Sequence, residues 1–215
     1  MGVNIGVPWK RLERWSPIGF MVAGVGSLLS LALLLVDAMS GVTVSEMVIS
    51  VVVIPNLLAL TVFALPGFYP YVADASPRLA LIGGVAGFVA GAVMAFQLVA
   101  KSALHVLGII GFTEDGPLIG LFFLLMFAFF LSMLFYGLAS AWSGEPSRLV
   151  GILLLVIIVE PGAALLNDVI GLNFGIAVLY VTLGVAGLAL FLIGYSLRDA
   201  ATASDRAESA SEMAT

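Results

Sequence analysis

Long apolar runs, separated by short polar breaks, divide this 215-residue chain into six segments. A helix that crosses hydrocarbon about 30 Å thick needs about 20 mostly apolar residues, and each run supplies or nearly supplies them. The runs are continuously apolar, whereas the strands of a membrane β-barrel alternate between apolar and polar positions. The sequence therefore predicts an all-α polytopic membrane protein with six transmembrane helices, at about Ile18–Val36, Met47–Pro66, Leu79–Ala100, Pro117–Ala139, Leu149–Leu166 and Gly175–Leu197.

Proline motifs recur at the start of the odd-numbered spans. Pro17, Pro77 and Pro146 each follow a serine or glutamate, and proline suits the first turn of a helix. The pattern predicts three helical hairpins, which arise either by repetition from one ancestral hairpin or from the same interface chemistry used three times. We expect a cytoplasmic interfacial N-terminus at 1–17, a six-helix transmembrane domain at 18–197 and a disordered acidic cytoplasmic tail at 198–215.

Basic residues indicate the orientation of the spans. Of the eight lysines and arginines, seven lie before the first span, after the second or fourth, or after the sixth, and only Lys101 lies on the other side. This positive-inside bias predicts that both termini are cytoplasmic. The chain is 62% hydrophobic and 10% charged, with a mean hydropathy of +1.20, whereas soluble domains are about a quarter charged. We expect a multi-pass protein of the plasma membrane.

The loop between the second and third spans carries the motifs Gly67-Phe68-Tyr69-Pro70 and Ala73-Asp74-Ala75-Ser76-Pro77-Arg78. Together with two lysines in the whole chain and a pI of about 4.6, these motifs make the chain resemble uncharacterised six-span integral membrane proteins of haloarchaea. The resemblance covers most of the chain. It implies the same fold but brings no known activity, so no functional residue is carried over from it.

Glu160, followed by Pro161, interrupts the apolar run from Leu149 to Leu166. An ionisable residue at membrane depth is a functional-site hypothesis by default, because burying a charge in hydrocarbon is costly. At 1.5 Å per residue it lies about 17 Å from the cytoplasmic end, and Asn56, preceded by Pro55, lies at about 15 Å. Two prolines that break helical hydrogen bonding thus accompany polar side chains at similar depth, together with Ser27, Ser132 and Thr182.

Two interpretations of this predicted polar layer remain open. In the first, Glu160 and Asn56 line a small wet cavity that serves as an ion, solute or proton site. In the second, a neutral Glu160 is hydrogen-bonded to Asn56 and only fixes helix packing, a contact worth about 1 kcal/mol in membranes.

Gln97, Lys101 and His105 share one face of an extended third helix, because they are spaced four residues apart. This outer polar face suits either an access funnel for a solute or ion, or a snorkelling lysine beside a solvated histidine. In the same helix, Gly83, Gly87 and Gly91 form two overlapping GxxxG steps. Such steps let helix backbones approach closely, either inside the monomer or at a dimer interface.

Several chemistries are excluded by the residues present. The chain has no cysteine and one histidine, so we expect no metal site and no cofactor, and no serine has a histidine at helical depth to activate it. The scattered basic residues do not predict nucleic-acid binding. The expected partner is the lipid bilayer, with a homo-oligomer or a membrane-protein partner left open. The sequence predicts a non-enzymatic protein, either a small permease or channel-like protein, or a non-transporting structural or accessory subunit.

Overall fold

The computed structural model describes residues 6–40, 46–108, 118–158 and 176–212, and the side chains within 12–39, 52–108, 118–158 and 180–202. Throughout these ranges the regular structure is helical, which confirms the predicted all-α class. Five of the described helical stretches are long and apolar enough to cross a membrane. The elements are α1 (Gly6–Ser40), α2 (Glu46–Leu58), a π-helical segment (Ala59–Ala64), α3 (Leu65–Ala73), α4 (Pro77–Val106), α5 (Ile119–Ser143), α6 (Arg148–Ile158) and α7 (Ile176–Glu212).

The first and last helices are longer than the sequence predicts. Helix α1 begins at Gly6, so Pro17 lies inside the helix and not in its first turn. Helix α7 continues to Glu212, so the structure has helical backbone in place of most of the disordered tail expected at 198–215. The tail is rich in alanine, which has the highest helix propensity, and this explains how the helix can continue past the apolar span.

The helices pack as antiparallel neighbours. Helix α1 lies between α7 and the second span, which consists of α2, the π-helical segment and α3. Helix α4 packs on the other side of that span and against α5, and Gly137 of α5 lies against Leu155 and Gly151 of α6. The start of α1 and the end of α7 therefore lie at one end of the bundle, here called the terminal end.

The π-helical segment follows from the prolines of the second span. Proline's ring clashes with the carbonyl group four residues earlier, and widening the turn before Pro66 separates these groups. In the widened turn the Leu65 amide donates to the Leu60 carbonyl oxygen, five residues back. The next hydrogen bond of this five-residue pattern would join residue 66 to the Thr61 carbonyl oxygen. It cannot form, because Pro66 has no N–H. That oxygen instead faces Gly91 of α4, where an added Cβ would lie 2.7 Å away.

Glycines allow helices to pack closely against each other at two places, between α4 and α5 and between α1 and α7. Added Cβ atoms on Gly83 and Gly87 would lie 2.8 Å from the Tyr136 ring and 2.9 Å from the Ser132 hydroxyl, respectively. The GxxxG face of α4 thus packs inside the chain. A second close contact carries no sequence motif comparable to GxxxG: an added Cβ on Gly24 of α1 would lie 2.7 Å from the Gly187 carbonyl oxygen of α7.

We expect Gly91→Ala to destabilise the bundle by about 1–3 kcal/mol, because the new methyl group would collide with the Thr61 carbonyl group. Gly120→Ala is the matched control, since no atom of the described residues lies within 4 Å of an added Cβ at this position on α5. That change should be neutral or stabilising by up to about 1 kcal/mol. Thermal unfolding of both variants in one detergent would measure the difference, and equal midpoints would contradict the close packing of α4 on the second span.

The hydroxyls of the half-buried Tyr71 and the buried Tyr136 have different environments. Pro17 lacks the N–H that would pair the Glu13 carbonyl oxygen, and the Tyr71 hydroxyl donates to that oxygen at 3.4 Å. The Tyr136 hydroxyl is buried without a hydrogen-bond partner among the described residues. The first hydroxyl therefore compensates for a helix-interior proline, whereas the second carries an unrecovered desolvation cost.

Tyr71→Phe should lower stability by roughly 1 kcal/mol, because it leaves the Glu13 carbonyl oxygen unpaired. Tyr136→Phe removes only an unpaired hydroxyl, and it should leave stability unchanged or raise it by about 1 kcal/mol. Both changes delete one oxygen atom, so each is the other's control in thermal unfolding. A larger loss for Tyr136→Phe than for Tyr71→Phe would show that this assignment of the two hydroxyls is wrong.

Candidate functional site

Asn56 and Ser27, two members of the predicted polar layer, lie in contact between α2 and α1. The Asn56 amide nitrogen lies 3.1 Å from the Ser27 hydroxyl oxygen. Exchanging the amide's nitrogen and oxygen keeps that contact, with Ser27 now the donor, and adds a 2.7 Å hydrogen bond from the nitrogen to the Ala23 carbonyl oxygen. We assign this second orientation, because amide orientation follows from the hydrogen-bond network and here both ends are satisfied.

Helix α1 is shaped to accept this amide. An added Cβ on Gly26 would lie 2.9 Å from Cβ and from Cγ of Asn56, so a larger residue at position 26 would displace the asparagine. One turn along α1, the Ser30 hydroxyl donates to the Gly26 carbonyl oxygen at 2.9 Å. Ser27 and Ser30 are 7% and 9% exposed. Small and polar side chains thus gather at one place in the otherwise apolar stretch Ile18–Val36 of α1.

These three polar residues line a cavity of about 310 Å³ between five helices. Its remaining lining is apolar, and none of the described lining residues is ionisable. Every lining side chain is buried or half-buried. The lining comprises Ser27, Ser30, Leu33 and Leu34 of α1, Val53, Asn56 and Leu57 of α2, Leu60 of the π-helical segment, Met126, Phe129 and Phe130 of α5, Ile157 of α6, and Leu183, Ala186 and Leu190 of α7.

Two other hollows differ from this cavity because they lie on the outer surface of the bundle. One lies between α1 and the π-helical segment and is lined by the exposed side chains of Trp15 and Phe63. The other lies between α4 and α5 and is lined by the exposed side chains of Val85 and Phe127. Such positions suit contact with lipid chains, whereas the described walls of the 310 Å³ cavity are buried or half-buried.

An aromatic cluster lies between the cavity and the terminal end of the bundle. Phe68 of α3 packs edge-on against Phe20 of α1, with ring centroids 5.9 Å apart, and against Tyr136 of α5, at 5.0 Å. All three side chains are fully buried. Tyr71 lies beside Phe68 at 5.9 Å and completes the cluster. Because protein interiors at this density have few voids larger than a water molecule, the cluster separates the cavity from the terminal end.

The polar groups at Ser27, Ser30 and Asn56 provide hydrogen-bonding sites for a molecule that occupies the cavity.

Ser132 and Thr182 do not join Ser27 and Asn56. The Ser132 hydroxyl donates to the Gly83 carbonyl oxygen at 2.8 Å and is fully buried between α5 and α4. Thr182 is half-buried on α7 and is not among the described residues that line the cavity, although the next residue, Leu183, is. The depth of these residues was compatible with a shared layer, but they point in other directions around their helices.

The outer polar face on α4 becomes more exposed along its length. Gln97 is buried, and its amide nitrogen has no hydrogen-bond partner within the described ranges. Lys101 is half-buried and His105 is exposed, and both interact with other groups of the protein. None of the three is recorded as lining the cavity. The face is therefore separate from the Ser27–Asn56 site.

Glu160 and Pro161 lie outside the described residues, so Glu160 stays a prediction. Within the described part of the chain no group of three histidine, cysteine, aspartate or glutamate residues could hold a metal ion. Sequence reasoning did not identify Ser30 or the aromatic cluster. A serine three residues after Ser27 was a signal for the former, since such residues share a helix face.

Comparison with protein-family models, curated proteins and solved structures finds no match to this chain.

Ser27→Ala should destabilise the protein by about 0.6–1 kcal/mol, because it removes the hydroxyl's share of the hydrogen bonds that join α1 to Asn56 of α2. Ser30→Ala is the control, since it removes a similarly buried hydroxyl that bonds only within α1. Unfolding in detergent followed by circular dichroism would compare the two variants. A loss for Ser30→Ala equal to that for Ser27→Ala would show that the interhelical bond adds no stability.

Proposed function

We propose that this protein is a small permease or channel-like protein of the plasma membrane, whose solute occupies the cavity beside Ser27 and Asn56. In this proposal six helices cross the bilayer as three hairpins, and both termini are cytoplasmic. Five described candidate spans and the seven-to-one distribution of basic residues support the arrangement. The resemblance to haloarchaeal six-span proteins belongs to the same proposal and adds no activity.

The observation that carries the proposal is the internal cavity with a polar wall. Transporters and channels hold their solutes in internal cavities near mid-membrane, and Ser27 lies near the middle of the apolar stretch Leu12–Met39. With cytoplasmic termini, the aromatic cluster would close the cavity on the cytoplasmic side. Passage of a solute would then require Phe68 to move from between Phe20 and Tyr136.

One observation favours the alternative, a structural or accessory subunit. The polar groups of Ser132 and Ser27 make hydrogen bonds between helices, as expected if such residues only fix packing. Under this alternative the cavity would hold lipid or water, and no solute would cross. Glu160 would also have a different role in each case. It would be a pH-sensitive group in a permease and a packing residue in a structural or accessory subunit.

Flux into reconstituted vesicles tests the proposal. We expect the wild type to carry at least one member of a panel of protons, monovalent ions, glycerol and short alcohols faster than protein-free vesicles do. Ala186→Leu, which adds bulk to the cavity wall, should reduce that flux several-fold, whereas Leu188→Phe should not, because Leu188 faces outward with 54% exposure. Glu160→Gln should change the pH dependence of the flux if Glu160 takes part.

The absence of flux for every solute would refute the permease proposal and favour the accessory subunit. Equal flux in Ala186→Leu and the wild type would show that the solute takes a path other than this cavity. Size-exclusion profiles and unfolding midpoints of each variant would establish that lost flux does not reflect lost folding.

A further inference from the structure

We infer that the cavity binds a neutral, mostly apolar molecule of about a dozen non-hydrogen atoms, with one hydroxyl or carbonyl group held by the Asn56 amide. The inference rests on the proposed function in taking this cavity as the solute site, and it adds the class of ligand. It follows from three properties of the cavity: its volume, the chemistry of its wall, and the hydrogen-bonding capacity that Asn56 retains.

The volume sets the size of the ligand. An apolar cavity of about 150 Å³ takes up benzene, which has six carbon atoms. The cavity described above is about twice as large, at about 310 Å³, and therefore matches a molecule of roughly twelve non-hydrogen atoms. Medium-chain alcohols and small ring alcohols or ketones have this size, whereas water and small ions would leave most of the apolar wall without contacts.

The described part of the wall disfavours charged ligands. None of the described lining residues is ionisable, and only Ser27, Ser30 and Asn56 are polar. A bare ion or an ionised group would lose its hydration without gaining a counter-charge from these residues, which is strongly unfavourable in an apolar surrounding. The apolar part of a neutral ligand, in contrast, would gain from contact with Phe129, Phe130 and the leucines that form most of the wall.

The Asn56 side chain keeps one N–H donor for the ligand. An amide has two N–H donors and two acceptor lone pairs. In the satisfied orientation one donor is used by the Ala23 carbonyl oxygen, and the amide oxygen accepts from both the hydroxyl and the backbone N–H of Ser27, at 3.1 Å and 3.3 Å. The half-buried side chain lines the cavity, so the second N–H is suited to donate to the oxygen of one hydroxyl or one carbonyl group.

The burial of the lining residues and the remaining donor of Asn56 argue against a lipid acyl chain as the ligand of the cavity. Every lining residue is buried or half-buried, whereas the surface hollow at Trp15 and Phe63 has exposed walls that suit acyl chains. A saturated tail would also leave the remaining donor of Asn56 without a partner, at a free-energy cost that a hydroxyl or carbonyl ligand avoids.

Photolabelling of the full-length protein in phosphatidylcholine nanodiscs tests this ligand class. The probe is octan-1-ol with a diazirine on its chain, and its partner probe is the same diazirine alkane without the hydroxyl. We expect saturable labelling of cavity residues by both probes, with about fivefold tighter binding of the alcohol from one added hydrogen bond. Excess octan-1-ol should compete with the labelling, and mass spectrometry of peptides should locate it at residues such as Leu57, Phe130 and Leu183.

Asn56→Leu should abolish the fivefold preference while leaving the labelling sites unchanged. Ala186→Leu should weaken both probes by a similar factor, whereas the outward-facing Leu188→Phe should affect neither. Non-saturable labelling confined to exposed residues such as Val181 would overturn the inference, because it would show partition into lipid alone. Equal affinities of the two probes for the wild type would also overturn it, and this comparison needs no variant to fold.

The two proposals fail separately. Saturable, hydroxyl-dependent labelling without flux of any solute would refute the permease proposal and leave the ligand class in place. Flux that Ala186→Leu blocks, combined with no saturable labelling by the alcohol probe, would refute the ligand class and leave the permease proposal in place.

Discussion

Helices in hydrocarbon can bring their backbones together only where no side chain stands between them, and this constraint determines how the second span is held. Added Cβ atoms on Gly19 of α1 and Gly91 of α4 would lie 2.8 Å and 2.7 Å from the carbonyl oxygens of Ala59 and Thr61. Both oxygens belong to the π-helical segment. No water in the bilayer core can hydrate the backbone of a distorted turn, so close glycine contacts on both sides shield it. The bundle extends outward from this layer, with α7 on α1 and α5 on α4.

The same bundle contains a dense half and a hollow half, and side-chain size explains the difference. Towards the terminal end, the aromatic rings of Phe20, Phe68 and Tyr136 fill the space between α1, α3 and α5. Further along, the side chains that α1 and α7 present to the interior include Ser27, Ser30 and Ala186, which are too small to fill the same space. The cavity is thus a consequence of residue choice within a continuous bundle. Polar groups form part of its wall, whereas a void left by imperfect packing would not need polar groups around it.

The helix content and the level of a residue along its helix could be predicted from the sequence. The direction in which its side chain points around the helix axis could not. The 1.5 Å rise placed Ser27 and Asn56 at similar levels, and the structure joins them at 3.1 Å. Ser132 satisfied the same criterion, yet it bonds to Gly83 on α4, because rotation about the helix axis is set by packing partners that one sequence does not reveal. Pro17 was expected to begin a helix and lies inside one. The compensating Tyr71 hydroxyl comes from a residue 58 positions away, a contact that local sequence patterns do not encode.

The polar site and the closure of the cavity lie on opposite sides of the π-helical segment, and this separation has a mechanical consequence. Asn56 belongs to α2, whereas Phe68 belongs to α3. Three contacts link α3 and its preceding turn to the terminal end of α1: the Phe20–Phe68 ring pair, the Tyr71 hydrogen bond to Glu13 and the Ser16 hydrogen bond to Ala64. Because Pro66 interrupts the backbone hydrogen bonding between α2 and α3, α3 is the part of the span that can shift with least disturbance to α2. In the proposed permease, movement of Phe68 would therefore leave the bond between Asn56 and Ser27 intact, and the polar wall of the cavity would stay in place.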